Sequence, residues 1–282
     1  TAAILWLRGG LASALPGSRN GRFDLPGSVV LFTTLFIFIM ALSFARVNGW
    51  LSAPVLFLFS TSAVLGLIFA WGMKRGRFTI FPRGLTAFSG FKPGAISNLL
   101  LTLASFVMWF LFPFYVVDVM GRSGFVLGVL LALMAAANFA GSAISGWLAD
   151  RIGDRQITFA GAVVTGCGLL LAGTTGGTPT MGAVVFATVV LGFGFGIHQA
   201  AVYSLTLRGT PSRHAGASSA ALSVSQTIGT VLSIALMTTL LNWQQSANGG
   251  SFIEAYRFSY IAAAGIAVLA GAVVFKMPAN KT

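Results

Sequence analysis

The sequence predicts an all-α polytopic membrane protein with eight transmembrane helices, and three observations lead to that fold class. Hydrophobic residues make up 56% of the 282-residue chain, and the mean hydropathy is +0.88. Charged residues make up only 8% of the chain, about a third of the ~25% that is usual in soluble domains. Several apolar runs are long enough to cross a bilayer. A soluble fold of this composition would expose too much apolar surface to water.

The N-terminal region predicts two membrane helices between polar links. Residues 1–22 combine an apolar stretch that is too short to span a membrane with a Gly/Ser/Arg/Pro segment. We expect them to be the end of a truncated helix and a cytoplasmic link. Residues 23–73 contain two spans, each with a proline in its first turn, Pro26 and Pro54. Residues 74–92 are basic, with interleaved phenylalanines, and are predicted to be a cytoplasmic linker at the membrane surface.

Residues 93–277 contain the other six predicted spans, and residues 278–282 form a short cytoplasmic tail. Pro113 interrupts the third span of the chain and predicts a kink there. In order, the eight predicted spans are Leu25–Ala45, Ala53–Gly72, Gly94–Val117, Phe125–Leu148, Ile157–Gly173, Met181–Leu207, Ala215–Leu241 and Ala255–Lys276.

The positive charge of the chain is explained by membrane insertion. The net charge is +12, with 17 Lys and Arg against 5 Asp and Glu. With the predicted spans, only Arg46, Arg122 and Arg257 fall on one side of the membrane, and the other basic residues fall on the opposite side. Cytoplasmic loops carry such an excess of Lys and Arg. We therefore expect both ends of the chain in the cytoplasm, in a cell (inner) membrane, and no nucleic-acid partner.

The composition argues against an enzyme or a metalloprotein. The chain has two histidines and five acids, and no set of them carries a recognisable catalytic signature. Its single cysteine, Cys167, lies inside an apolar run and allows neither an intrachain disulfide nor a cysteine-based metal site. No His/Cys/Asp/Glu group has the spacing of metal ligands. The sequence indicates no cofactor.

A short charged turn, GWLADRIGDR, joins the fourth and fifth predicted spans. Gly146 allows close approach of another backbone, and Gly153 permits a turn with positive φ. Asp150 is predicted to lie near the positive end of the following helix. Arg151 and Arg155 keep positive charge in water on one side of the bilayer.

This spacing resembles the loop signature of the major facilitator superfamily, which joins the second and third helices of each six-helix half. Asp154 departs from that signature, which usually has a basic residue there. Further features resemble the 14-helix drug:proton antiporter branch of the superfamily, namely the glycines of the sixth span and Pro211, Gly216, Ser225, Gln226 and Gly229. The resemblance implies that residues 23–73 are the extra helix pair of that branch. It also implies that residues 93–277 are the C-terminal six-helix half-bundle.

The same resemblance implies a function and a set of partners. It predicts a secondary active transporter that exports small hydrophobic or cationic compounds in exchange for protons, within a lipid bilayer. By that resemblance the N-terminal half, with the coupling acid of the branch, is missing from this chain. The turn residues Gly146, Asp150, Arg151, Gly153 and Arg155 are then candidates for a latch between conformational states.

Polar residues inside the apolar spans are further candidates for a cavity or for coupling. Asn98, Thr102 and Trp109 recur at helical spacing on one face of the third span, and Gln226 lies on a polar face of the seventh. His198 and Gln199 lie deep in the sixth span, where an ionisable group is a functional candidate. Two structural alternatives remain open at this stage. Small and hydroxyl residues also serve helix packing, and His198 could be a neutral core residue.

Two other functions are compatible with the sequence. A carrier of this class could transport another metabolite. Alternatively, the chain could be a non-transporting half-carrier with a structural or partner-binding role.

Overall fold

The structure is a computed structural model that describes residues 24–49, 52–78, 90–175, 180–247 and 251–275. The described residues form eight long helices, and no strand occurs among them. All eight are long and apolar enough to cross a membrane, which confirms the predicted fold class. The helices are α1 (Leu25–Asn48), α2 (Ala53–Arg75), α3 (Phe91–Phe114), α4 (Gly124–Ile152), α5 (Asp154–Thr174), α6 (Met181–Arg208), α7 (Ala215–Ala247) and α8 (Phe252–Val274). The predicted segments 1–22 and 278–282, and most of 74–92, lie outside the described residues.

Local sequence signals explain how several helices begin and end. The Asp24 side chain accepts a hydrogen bond of 2.9 Å from the backbone N–H of Gly27 and so caps α1. A proline lies in the first turn of both α1 and α2, as the sequence predicts. Helix α2 ends at Gly76, which has the left-handed conformation with φ 71°.

Helix α3 does not end at Pro113. It runs on to Phe114 and continues as a π-helical turn, Tyr115–Val119. Proline has no N–H to donate to the preceding turn. The wider π-helical spacing directly after it is one of the recognised ways in which a helix accommodates such a break.

Helices α3 to α8 form one bundle, in which α6 lies between α4 and α5. Helix α3 packs against α7 and α8, and α5 packs against α8. Buried side chains such as Leu101, Leu111, Leu169 and Tyr260 fill the space between α3, α5 and α8. Helices α1 and α2 pack mainly against each other, and α1 also touches α7. Their side chains are therefore largely left to face lipid.

Glycines let α6 approach both of its neighbours at backbone distance. A Cβ on Gly196 would collide with the carbonyl oxygen of Asn138 on α4. In a membrane no hydrophobic driving force brings helices together. Small residues allow their backbones to approach closely, and van der Waals contacts then stabilise the pair. The glycines of α6 therefore have a structural role in packing this helix against its neighbours. The other close glycine contacts of α6 are Gly141 to Phe193, Gly192 to Met134, Gly161 to His198, Gly168 to Leu191 and Gly194 to Thr165.

One end of the molecule carries the start of α1, α3, α5 and α7 and the end of α2, α4, α6 and α8. We call it the basic end. Its described cations include Lys74, Arg75, Lys92, Arg151 and Arg208. Every second link between helices lies at this end because consecutive spans run in opposite directions.

Candidate functional site

A cavity of about 340 Å³ lies between α3, α4, α6 and α7. Its lining residues stand roughly 16–27 Å along their helices from the basic end, at the 1.5 Å rise per residue of an α-helix. That places the cavity near the middle of the bundle. The lining consists of Thr102, Ser105, Phe106 and Trp109 from α3, Met134, Ala135 and Asn138 from α4, Leu191, Gly192 and Phe195 from α6, and Gln226 and Thr230 from α7.

The cavity combines an aromatic wall with neutral polar groups. The rings of Phe106 and Trp109 stack with their centroids 6.5 Å apart, and Met134 and Phe195 add apolar surface. None of the lining residues that the structure describes is acidic, basic or a histidine. A ligand there would be recognised by apolar contact, by ring faces and by hydrogen bonds to neutral groups.

Two hydroxyl groups in the cavity wall have no hydrogen-bond partner among the described residues. The oxygens of Thr102 and Ser105 are buried and unpaired, and both residues line the cavity. Buried polar atoms in folded proteins are almost always hydrogen-bonded, so an unpaired one needs a water or a ligand. These hydroxyls follow one another at helical spacing on α3. Both oxygens are shielded from the cavity space in this conformation, so a polar group of a ligand would reach them only after a movement of the cavity wall.

The structure brings together three of the predicted cavity residues, Thr102, Trp109 and Gln226. Asn98 lies outside the cavity, where its side-chain N–H donates to the carbonyl of Leu222 at 2.9 Å and so joins α3 to α7. Gln199 also lies outside the lining, on α6, with a buried and unpaired side-chain oxygen.

His198 is fully buried between helices and does not line the cavity. Its Nδ1 lies 3.0 Å from the carbonyl oxygen of Thr158, and its Nε2 lies 3.4 Å from Oγ of Ser97. Because a carbonyl only accepts, Nδ1 carries a proton. The Ser97 hydroxyl donates to the carbonyl of Ala270 at 2.7 Å. With that bond in place, Nε2 has a partner only when it is also protonated and donates to Ser97.

The charged turn between α4 and α5 forms an ion-pair cluster with the end of α6. Nη2 of Arg208 lies 3.2 Å from Oδ1 of Asp150, and Nε of Arg208 lies 3.2 Å from Oδ2 of Asp154. The hydroxyl of Ser204 also donates to Oδ1 of Asp154, at 3.3 Å. The turn is possible because Gly153 has φ 100°, as the sequence predicts. The cluster ties the α4–α5 turn to α6 at the basic end.

The sequence did not predict Arg208 or Asp154 as members of this cluster. Asp154 stands out in the sequence only as a departure from the family signature, yet its side chain is 7% exposed and paired. The sequence does contain two signs of this cluster. Asp150 and Asp154 are four residues apart across the turn, and Arg208 is the last residue of α6. Spacing alone does not say which helix end lies opposite the two acids.

The other residues of the turn have different surroundings. The guanidinium of Arg151 lies 3.9 Å from the centre of the Trp147 ring, and that of Arg155 lies 4.9 Å from the centre of the Phe275 ring. No described atom lies within 4 Å of a Cβ built on Gly146. The close backbone approach expected at Gly146 is therefore not made within the described part of the chain.

Comparison with known proteins assigns the family. Two overlapping segments, residues 46–234 and 94–282, each match the Major Facilitator Superfamily, and together they cover most of the chain. The chain belongs to the Major Facilitator Superfamily. It is therefore a multi-pass membrane protein of a transporter family and not of an enzyme family.

Several curated transporters are similar to this chain. An uncharacterized transporter of Escherichia coli K12, YebQ, is 25% identical over 263 residues, covering 91% of this chain and 55% of the relative. The multidrug resistance protein Stp of Mycobacterium tuberculosis H37Rv is 22% identical over 79% of this chain and 41% of its own length. A triacylglyceride transporter of Mycolicibacterium smegmatis is 27% identical over 77% of this chain and 41% of its own length. The chain thus spans about half the length of these relatives.

Proposed function

We propose that this chain is the C-terminal part of a proton-coupled exporter of small hydrophobic or cationic compounds. The observation that carries the proposal is the uncharged cavity between α3, α4, α6 and α7, with the Trp109 ring on one wall. In carriers built from repeats, substrate sites lie near the bilayer midplane between the two halves. The depth of this cavity in the bundle is consistent with half of such a site, and the missing N-terminal half would supply the other.

The cavity chemistry favours this substrate class over anions. A half-exposed indole and a stacked phenylalanine offer ring faces to apolar molecules and to organic cations. None of the described lining residues carries a positive charge that would bind an anion. The multidrug resistance protein among the relatives supports the same substrate class.

Proton coupling requires a group that gains and loses a proton during transport. Among the described acids, Asp118 lies in the π-helical turn after α3 and Glu254 in the first turn of α8, so neither is in the middle of a span. His198 is the ionisable residue at mid-depth, and its hydrogen-bond arrangement has room for a second proton. We propose that His198 contributes to coupling together with the coupling acid expected in the N-terminal half.

The ion-pair cluster at the basic end supports a role in alternating access. Asp150, Asp154 and Arg208 hold the α4–α5 turn against α6 in this conformation. Contacts present in one state of a carrier and absent in the other set the balance between the two states. We propose that the cluster is a latch of this kind, at the cytoplasmic side of the membrane.

Two alternatives have support of their own. The triacylglyceride transporter among the relatives fits a carrier whose substrate is a lipid or another metabolite, since the cavity wall is largely apolar. The packing of α3 to α8 into one bundle is compatible with a half-carrier that binds a partner and does not transport.

The test is accumulation of a fluorescent lipophilic cation, such as ethidium, in cells that lack their own exporters. The cells express the complete gene that encodes this chain, with and without a protonophore. We expect expression to lower accumulation and the protonophore to abolish that effect. Trp109→Ala should reduce export about tenfold, because a ring face contributes roughly 0.5–2 kcal/mol to the binding of a cation.

Matched variants distinguish the loss of a cavity residue from a general loss of folding. Phe114 is on the same helix and, like Trp109, is 48% exposed, but it does not line the cavity. Phe114→Ala should therefore leave export unchanged. His198→Gln should remove the protonophore-sensitive part of export if His198 contributes to coupling. Unchanged accumulation across a panel of lipophilic cations would reject the drug-export proposal and favour the metabolite carrier.

A further inference from the structure

The end of α2 carries a compact group of cations and rings. It consists of Trp71, Lys74, Arg75, Arg77 and Phe78, and we call it the α2 cap. The guanidinium carbon of Arg75 lies 4.1 Å from the centre of the Trp71 ring, and that of Arg77 lies 5.6 Å from it. Lys74 is on the same face of the helix, three residues after Trp71. Two guanidinium groups thus lie over one indole, and Lys74 adds a third positive charge at the same helix end.

Backbone geometry holds the α2 cap in place. Gly76 turns the chain with φ 71°, and the N–H groups of Arg77 and Phe78 both donate to the carbonyl of Gly72, at 2.9 Å and 3.3 Å. The chain then folds back, so that the Phe78 ring stacks on Phe69 with centroids 5.8 Å apart. Arg77 therefore returns towards Trp71 and does not extend into solvent.

The charge of the α2 cap is not neutralised by neighbouring acids. Lys74, Arg75 and Arg77 are exposed, and none of them forms an ion pair with a described acid. The acid on this pair of helices is Asp24, whose Oδ1 accepts from the N–H of Gly27. Arg208 differs from these three cations, because its guanidinium forms ion pairs with two carboxylates.

We propose that the α2 cap binds the phosphate headgroup of an anionic phospholipid in the membrane leaflet at the basic end. A guanidinium stacked on a ring keeps its N–H edge free, and that edge matches two phosphate oxygens. Lys74 adds a point charge beside the two arginines. Trp71, which is 46% exposed, is the residue type enriched at the membrane–water interface.

The surroundings of the α2 cap favour a lipid over a free phosphate ion. Leu67 and Ile68, one turn towards the bilayer centre from Trp71, are 70% and 45% exposed and offer a surface for an acyl chain. Among the described residues, α1 and α2 contact the rest of the bundle mainly at α7, and that contact is small. A bound headgroup would fix the depth of this pair in the membrane. The proposal does not depend on what the carrier transports.

The test is native mass spectrometry of the purified chain in detergent, titrated with dioleoylphosphatidylglycerol or with zwitterionic dioleoylphosphatidylcholine. We expect the first phosphatidylglycerol to bind more tightly than phosphatidylcholine. The pair Arg75→Gln and Arg77→Gln should weaken phosphatidylglycerol binding about tenfold or more, since each cation near an anionic headgroup adds measurably to affinity. Binding of phosphatidylcholine should not change, which also reports that the variant is folded.

A matched control removes two charges elsewhere. Lys92 and Arg122 are exposed and have no ring contact in the described structure, so Lys92→Gln with Arg122→Gln should change phosphatidylglycerol affinity by less than about twofold. Equal losses in the two double variants would mean that net charge is the cause, and would overturn the proposal. Displacement of the lipid by millimolar inorganic phosphate would overturn it in favour of a free-anion site.

A second variant guards against loss of folding. Arg75→Lys with Arg77→Lys keeps both charges but removes the planar fork. We expect its phosphatidylglycerol affinity to lie between those of the original chain and the Gln pair. If the Lys pair binds no more tightly than the Gln pair, the lipid does not recognise the charges of the α2 cap, and the proposal fails.

Discussion

At the scale of single residues, exposure decides how much each carboxylate of the basic-end cluster contributes. Arg208 bridges Asp150, whose side chain is 71% exposed, and Asp154, whose side chain is 7% exposed. Exposed ion pairs contribute roughly 0–1 kcal/mol to stability. Removing one partner of a buried pair costs more, because a charge is left without compensation. Arg208 itself is about half exposed, which reduces the cost of losing Asp154.

We therefore expect Asp154→Asn to lower the free energy of unfolding by about 2 kcal/mol and Asp150→Asn by less than about 0.5 kcal/mol. Denaturant titration of the purified chain in mixed micelles, followed by circular dichroism, measures both values. Asp118→Asn is the control, since Asp118 is exposed and forms no ion pair with a described residue. A loss at Asp150 as large as that at Asp154 would contradict the exposure argument.

The two variants also separate stability from transport. If the cluster is a latch, Asp150→Asn should lower export by the complete carrier while leaving its amount in the membrane unchanged. The structural reason is that Asp150 contributes little to the stability of the fold but still contacts Arg208 in this conformation. Unchanged export by Asp150→Asn would count against the latch.

At the scale of the element, α6 depends on glycine where it crosses α4. Ala is a better helix former than Gly by about 1 kcal/mol, so a Gly→Ala change in open space should stabilise a helix slightly. At Gly196 the added methyl group would meet the backbone carbonyl of Asn138, which cannot rotate away as a side chain can. Overpacking of this kind costs about 1–3 kcal/mol.

We expect Gly196→Ala to destabilise the chain by about 1–3 kcal/mol, whereas Gly128→Ala and Gly182→Ala should be neutral or stabilising. Gly128 on α4 and Gly182 on α6 have no described atom within 4 Å of the added Cβ. The same denaturant titration compares the three variants. If Gly196→Ala behaves like the two controls, α4 and α6 do not pack at backbone distance in the membrane.

The helices could be predicted from the sequence far better than the contacts between them. Span lengths and turn glycines predicted all eight helices, because apolar length and φ requirements are local properties. One bound shifted after Pro113, where the helix continues as a π-helical turn to Val119. The kink expected at Pro113 stays a prediction. The helical stripe on α3 predicted that Thr102 and Trp109 share a face, and both line the cavity.

Contacts between helices distant in sequence could not be predicted in the same way. The pairing of Asp154 with Arg208 and the placing of His198 against Thr158 and Ser97 depend on which helices are neighbours. A single sequence gives the faces of each helix but not the rotation of one helix relative to another. Gly146 is the opposite case. The sequence suggests a close helix contact there, but Gly146 makes none within the described chain.

At the scale of the whole molecule, the orientation in the membrane follows from the unequal charge of the two ends. The basic end carries the Asp150–Arg208 cluster, the α2 cap and the link between α6 and α7. The opposite end carries the turns between α3 and α4 and between α7 and α8, which are poor in basic residues. Positive residues resist translocation and stay in the cytoplasm. We therefore expect the basic end in the cytoplasm.

Cysteine labelling in intact cells tests this orientation. With Cys167 replaced by Ser, Ser123→Cys places a thiol in the turn between α3 and α4, and Ser212→Cys places one between α6 and α7. Both positions are exposed, so differences in labelling report the side of the membrane and not burial. A membrane-impermeant maleimide should label position 123 in intact cells and position 212 only after the cells are permeabilised. The reverse pattern would invert the orientation, and it would move the ion-pair cluster and the α2 cap to the outer leaflet.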